Sequence, residues 1–147
     1  MFVRPCLAII RENQILLLKY DYNGNKVFGL PGGNPEPDET LAQTVTRELI
    51  EELNVKVALG KLLLAGEVIL PEKSLSTLHC VFSGSIISGI PQINPAETSA
   101  LEAGWVDIAI IDSINLYPNV GQELKQLLSA GKTVTNPYIG KINQQWF

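Results

Sequence analysis

Glu48, Glu51 and Glu52 follow one another at helical spacing in the stretch "RELIEEL". On a helical wheel at ~100° per residue they stand at roughly 0°, −60° and +40°, so their carboxylates project to one side and reach a common point. Each like-charged i,i+3 or i,i+4 pair costs an isolated helix roughly 0.2–0.5 kcal/mol, and the last helical turn is where the dipole favours cations. Local stability therefore gains nothing from the arrangement. A hard divalent cation reverses the sign of those terms, because Mg²⁺ or Mn²⁺ takes oxygen ligands and is shared among carboxylates, water and substrate phosphates. A solvated acidic face is the competing reading of three glutamates taken alone, since exposed Glu is common. The residues upstream shift the balance. Pro31, Gly32 and Gly33 bring backbone into positions open to residues without a Cβ, exposing amides and carbonyls to a ligand. Coupled at fixed spacing to an acidic helix, they form the second wall of a phosphate and metal site.

The elements that must hold these groups follow from periodicity. From Thr40 to Leu53 one half of the wheel carries Leu41, Ala42, Val45, Leu49, Ile50 and Leu53 and the other is polar, as in an amphipathic helix. Thr40 with Gln43 matches a capping box, Asp38 is a competing N-cap, and Asn54 suits a left-handed cap at the end. Ahead of the helix, "RPCLAIIRENQILLLKY" reads as two strands around "RENQ", and Asn23-Gly24 is a tight-turn signal leading into the strand "KVFGL". After it, "KLLLAGEVIL", "SLSTLHCVFSGSI" and "GWVDI" read as strands, with "PEKS" as a breaker and "GIPQINPAETSALEA" as a long Pro-rich loop. "NVGQELKQLLSAG" has helical spacing and Gly131 as its stop, while "KTVTNPYIGKINQQWF" supports no assignment. Strands, a helix, more strands and a last helix predict a mixed α/β fold with helices packed on a sheet.

Composition bounds what such a site can serve. A length of 147 residues predicts a single domain over 1–147, and 46% apolar with 18% charged residues is an ordinary folded chain. The net charge of −4, with Lys and Arg scattered, argues against a nucleic-acid polymer as partner and leaves room for a small anionic ligand accompanied by a cation. Cys6 and Cys80 lie in apolar runs without C-x-x-C spacing and read as core thiols. "MFVRPCLAII" lacks the features of a signal peptide and no apolar run approaches the ~20 residues of a membrane span, which makes the cytoplasm the expected location.

Gly33, five residues, Glu39, seven residues, then Arg47-Glu48-Leu49-Ile50-Glu51-Glu52-Leu53-Asn54-Val55 resembles the Nudix box, G-x5-E-x7-R-E-U-x-E-E-x-G-U with U apolar. One defined position departs, the late Gly, where Asn54 is the residue that best replaces Gly in a left-handed cap. The resemblance covers Gly33 to Val55 and, more weakly, the strand order, which is similar to the family's α-β-α sandwich. It implies hydrolysis of a diphosphate bond in a nucleoside diphosphate linked to a further group, such as an oxidised nucleoside triphosphate, ADP-ribose or a nucleotide sugar. It further implies Mg²⁺ held by Glu48, Glu51 and Glu52 with the Gly32 carbonyl sometimes joining, Mn²⁺ being a substitute. Glu39 and Arg47 look like the family's brace between loop and helix, consistent with the rigid fork of Arg. For the general base the resemblance points to Glu51, with Glu52 and the two glutamates of the Pro-rich loop, Glu97 and Glu102, as rivals. Lys19 resembles a basic residue that contacts substrate phosphate.

Other residues carry weaker expectations. His79, the one histidine, is expected as a hydrogen-bonded core or edge residue rather than a base. Phe28, Tyr20, Tyr22 and Trp146 could stack on a nucleobase, with core packing or a dimer contact the plainer expectation. The tail from Lys132 to Phe147 could close a symmetric homodimer. A non-catalytic nucleotide-binding regulatory module and a diphosphate isomerase on the same fold are the alternatives to a hydrolase.

Overall fold

Two strands carry the centre of the molecule. In the computed structural model, which describes residues 1–129 and 136–145, β1 (Phe2–Arg11) and β2 (Gln14–Tyr22) meet at Glu12-Asn13, where both turn residues take positive φ. The strands pair only beside that turn, Ile10 with Ile15 and Arg11 with Gln14, and then diverge. Three further strands of the chain take up the unpaired edges: β3 (Asn25–Gly29) and β6 (Glu102–Asp107) run antiparallel to β2, and β5 (Leu75–Ser88) runs parallel to β1 from Phe2 against Thr77 to Ile9 against Gly84. β4 (Lys56–Leu70) flanks β5, β8 (Tyr138–Lys141) flanks β4, and the two-residue β7 (Leu116–Tyr117) lies beside β3. The result is a mixed sheet opened into two halves, with a cleft where β1 and β2 part.

Both faces of the central strands are buried, which is why they read as continuous apolar runs rather than as alternating ones. Cys6, Ala8, Ile15 and Leu17 belong to one core cluster, which α2 (Gly121–Ser129) covers with Leu124. Leu7, Ile9, Leu16 and Leu18 belong to the other, which α1 (Leu41–Leu53) covers with Val45, Leu49 and Leu53. Each of those buried side chains is worth roughly 1.5–3 kcal/mol of transfer free energy, so the apolar face of α1 fixes its roll and turns the glutamates outward. One helix on each face of the sheet is the expected α-β-α sandwich.

The local signals in α1 behave as its sequence predicts. Thr40 caps the helix through its hydroxyl, which accepts from the Gln43 amide at 3.1 Å, and Gln43 Oε1 accepts from the Thr40 amide at 2.8 Å. Asp38 therefore does not cap it. Asn54 ends the helix at φ 54°, ψ 39°, the left-handed conformation the late Gly of the box would take, and its amide donates to the Ile50 carbonyl at 3.0 Å.

Several expectations shift. β4 begins at Lys56, five residues earlier than the run "KLLLAGEVIL", because register shifts between Leu59 and Leu64 absorb the irregular pattern there. Glu102 opens β6 instead of lying in the loop. Part of the unassigned tail forms β8, held by β4, whereas Gly131, Trp146 and Phe147 lie outside the described residues. Cys6 and Cys80 are buried free thiols, as expected. Among the described residues no helix is long and apolar enough to cross a membrane.

Candidate active site

Arg47 is the hub around which the acidic residues of the box gather. Its guanidinium donates twice to Glu39, from Nε to Oε2 at 2.7 Å and from Nη2 to Oε1 at 3.0 Å, the planar fork-to-fork match for which Arg is suited. Nη2 also donates to the Asn34 carbonyl at 3.1 Å, and Nη1 to Glu48 Oε1 at 3.0 Å and Glu51 Oε2 at 3.1 Å. One side chain thus ties the loop after Pro31-Gly32-Gly33 to the polar face of α1. Glu39 accepts further from the Glu36 amide at 3.0 Å and the Thr44 hydroxyl at 2.8 Å. The Arg47 bonds first, then the Glu36 amide, hold its carboxyl down at about 2, and the same contacts raise the Arg47 guanidinium above its ordinary value.

The two glycines of the loop matter for space. Neither lies in the left-handed region, so their lack of a Cβ does not serve the backbone angle. A Cβ on Gly32 would stand 2.7 Å from Cys6 Cα and closer still to the Pro5 carbonyl oxygen, and a Cβ on Gly33 would run into the Glu48 carboxyl. Around these contacts the Leu7 amide donates to the Pro31 carbonyl at 2.9 Å and the Gly33 amide to the Pro5 carbonyl at 3.3 Å. The loop lies flat against β1 and lets Glu48 fold over it.

Glu52 stands one turn on from Glu48, close enough for the two carboxyls to act on one another. Burial first, and the Glu48 carboxylate second, push the Glu52 carboxyl up to about 8. A cation between two carboxyls so placed would relieve their repulsion. Among the described residues no three His, Cys, Asp or Glu side chains are gathered closely enough to enclose an ion as they stand, because Arg47 draws Glu48 and Glu51 to itself. The donor set is nonetheless the hard-oxygen kind that Mg²⁺ and Mn²⁺ take, and by that chemistry it fits such an ion.

Glu52 also lines the cleft between the sheet halves, a cavity of about 520 Å³. Arg4 and Cys6 of β1 and His79 of β5 form one wall, and Tyr20 and Tyr22 of β2 with Tyr117 of β7 form the other. Glu97, from the loop before β6, lines the same cavity as Glu52. Tyr20 and Tyr22 stack with ring centroids 5.8 Å apart and planes 10° from parallel. Phe28 packs against the core instead.

The remaining sequence candidates separate. Lys19 is engaged by Glu102 at 3.1 Å, and neither lines the cavity, so Glu97 and not Glu102 is the loop glutamate brought towards the box. His79 is fully buried, as a core residue should be, yet neither ring nitrogen has a hydrogen-bond partner among the described residues, which overturns the expectation of a bonded histidine. Sequence reasoning passes over Arg4, Tyr117 and Gln144 as cavity residues altogether. Their convergence depends on strand pairings between distant segments, and no local pattern signals it.

Comparison with known proteins fits this geometry. Residues 2–128 match the NUDIX domain. The NAD-capped RNA hydrolase NudC of Citrobacter koseri is 32% identical over 128 residues, 86% of this chain but 46% of that protein, so the chain spans about half the length of this curated relative. Among solved structures, a NUDIX hydrolase from Nitrosomonas europaea superposes with a TM-score of 0.71 at 20% identity, covering 99% of this chain and 97% of that one. An ADP-ribose pyrophosphatase from Streptococcus suis superposes with a TM-score of 0.65 at 20% identity, covering 97% and 98%. With the box, the brace and the fold in agreement, the chain belongs to the NUDIX domain family, the pyrophosphohydrolase family that its sequence pattern resembles.

Proposed function

We propose that this chain hydrolyses the diphosphate bond of a nucleoside diphosphate linked to a further group, with Mg²⁺ as its cofactor and Mn²⁺ as a substitute. The observation that carries the reading is the shared position of Glu52, on the acidic face of α1 and in the lining of a nucleotide-sized cleft at once. A diphosphate lying over the glutamates leaves its nucleoside in the cleft, whose volume is in the ~300–1,000 Å³ range of small-molecule sites.

Glu48, Glu51 and Glu52, with the Gly32 carbonyl, would hold the metal. When bound, Mg²⁺ neutralises phosphate charge and lowers the pKa of a coordinated water. The chain's own residues do the positioning. Arg47 and Glu39 keep the loop and helix in register, so that the ligand oxygens keep their aim. Glu51, whose carboxylate is 38% exposed, is the base we favour, within reach of an attacking water, and Glu97 is the rival because it shares the cleft with Glu52. Lys19 must leave Glu102 to reach a phosphate, while Gly32 and Gly33 would border the substrate through the loop backbone, the Gly33 amide staying on the Pro5 carbonyl.

The substrate is a nucleoside triphosphate, such as an oxidised one, ADP-ribose or a nucleotide sugar. The NudC relative adds capped RNA, and recognition of a cap needs the terminal nucleotide alone in the cleft, so the absence of a basic stripe no longer argues against a polymer. The homodimer expectation stands on 132–147, in which Tyr138 is engaged by its own chain, its hydroxyl donating to Glu67 at 2.8 Å. Light scattering that gives a mass near 16.1 kDa removes that expectation.

The test is a chromatographic screen of nucleoside triphosphates, oxidised analogues, ADP-ribose, NAD and nucleotide sugars at ~1 mM, the top of the usual KM range. Cleavage of one class at its diphosphate names the substrate. Binding without cleavage of any transfers the reading to the regulatory module, and rearrangement without hydrolysis to the isomerase.

A further inference from the structure

His79 is buried without a visible reason. Its relative exposure is 0%, and both Nδ1 and Nε2 lack a hydrogen-bond partner among the described residues, although an unmet buried polar atom costs as much as a lost hydrogen bond. The residue lines the cleft, so the imidazole lies at the edge of a space a ligand can enter. Parallel pairing sets Arg4 beside it, with Arg4 on β1 opposite His79 on β5, and neighbouring strands bring such side chains onto one face ~4.8 Å apart. The edge of Tyr117 meets the imidazole with ring centroids 5.1 Å apart and planes at 89°, which fixes the ring's position from the other wall. Tyr20 and Tyr22 offer a stacked aromatic surface across the same cavity.

We propose that His79 and Arg4 together determine the substrate's ring, selecting one that carries a carbonyl next to an N–H. The inference rests on the nucleotide-hydrolase reading and narrows it. A guanidinium supplies donors only, whereas a neutral imidazole supplies one donor and one acceptor. Burial, and Arg4 after it, hold the imidazole down to about 4, so it is neutral at pH 7. A carbonyl oxygen accepting from Arg4 beside an N–H donating to the bare imidazole nitrogen matches donor to acceptor at both residues. An exocyclic amine facing Arg4 sets donor against donor, which disfavours adenine-like edges in the same pose. The group wanted is an amide edge, found in the lactam of an oxo-purine or oxo-pyrimidine and in the carboxamide of nicotinamide.

The chain has one histidine, so its ring-nitrogen NMR signals are assigned without mutagenesis. The first experiment records long-range proton–nitrogen spectra of the native protein with GMP, AMP, nicotinamide mononucleotide or ribose 5-phosphate. The expected result is that GMP, nicotinamide mononucleotide or both move a His79 ring nitrogen, while AMP and ribose 5-phosphate do not. A shift with GMP alone assigns the oxo-base, and one with nicotinamide mononucleotide alone the carboxamide. Binding of these ligands with both nitrogens unmoved, equal shifts with AMP, or no binding of either amide ligand overturns the inference. The second experiment compares kcat/KM for GTP against ATP and for NAD against ADP-ribose in the native chain and in His79→Leu. Native preference of ~10-fold or more in one pair, falling towards equality in the variant, is expected for one buried hydrogen-bonding edge. Hydrolysis without preference in either pair overturns the inference and leaves the hydrolase reading intact. Hydrolysis of nothing overturns that reading, and the histidine spectra then decide the inference alone.

Discussion

Replacing Gly32 with Ala tests the packing that seats the box. The added Cβ would stand 2.7 Å from Cys6 Cα and 2.8 Å from Cys6 Cβ, with the Pro5 carbonyl oxygen nearer than either. Carbon contacts sit at ~3.5–4.0 Å, so the loop must retreat from β1 by about 1 Å. β1 cannot yield instead, since Leu7 and Ile9 are at 0% and 2% exposure and β5 pairs along its length. Overpacking of this kind costs ~1–3 kcal/mol. The retreat also stretches the bonds from Leu7 to Pro31 and from Gly33 to Pro5, each worth ~1 kcal/mol. For a chain of about this size 1 kcal/mol moves Tm by ~2–4 °C, so Gly32→Ala should lower Tm by about 5–15 °C. Because the same loop carries Glu39 and Gly33, a 1 Å displacement should lower kcat by ~10²-fold even well below the new Tm. Thermal unfolding followed by circular dichroism, beside initial rates, provides the assay. An unchanged Tm with unchanged turnover would refute the close approach of the loop to β1 as the reason for glycine.

Other perturbations separate the parts of the account. Glu51→Gln and Glu52→Gln should each lower kcat by ~10²-fold or more in steady-state assays, and near-native rates in both would remove the metal-site reading. Arg47→Ala should weaken Mn²⁺ binding, measured by calorimetry, by ~10–100-fold through misplaced ligands, and unchanged affinity would show that the brace does not aim them. His79 links stability to pH: its value falls from 6.5 to about 4 on folding, so the unfolded chain binds the proton first as pH drops. Its contribution is therefore complete above pH 6.5, declines towards about pH 4 and changes no further below. At 1.36 kcal/mol per pKa unit the swing is about 3 kcal/mol, which His79→Leu should remove from the pH dependence of the urea midpoint. Parallel pH profiles in native and variant chains would contradict that linkage.

Local chemistry made α1 and its neighbours legible in the sequence. Thr40, Gln43 and Asn54 act over three or four residues, and the wheel position of Glu48 relative to Val45 and Leu49 follows from helical period alone. The apolar runs of β1 and β2 identified strands and their turn but not their divergence, because a strand buried on both faces reads the same whichever partner it takes. β7 has two residues and β8 is irregular about Gly140, too short for a periodic signal. The cleft was hidden for the same reason. Arg4 and His79 lie 75 positions apart and meet only through parallel pairing, so nothing near His79 in the sequence distinguishes a cleft residue from a core one. Lys19 reads in the sequence as a phosphate contact and Glu102 as a loop base, and only the pairing of β2 with β6 sets them against one another.

The most direct test of the central claim is turnover of the substrate found in the screen, followed by product chromatography as Mg²⁺ is removed by chelation and then restored. The account predicts that cleavage at the diphosphate stops without the metal, returns with it, and is lost in Glu52→Gln whether Mg²⁺ is present or not. Cleavage that continues under chelation, or that survives in Glu52→Gln, would contradict a metal site built from the glutamates of α1.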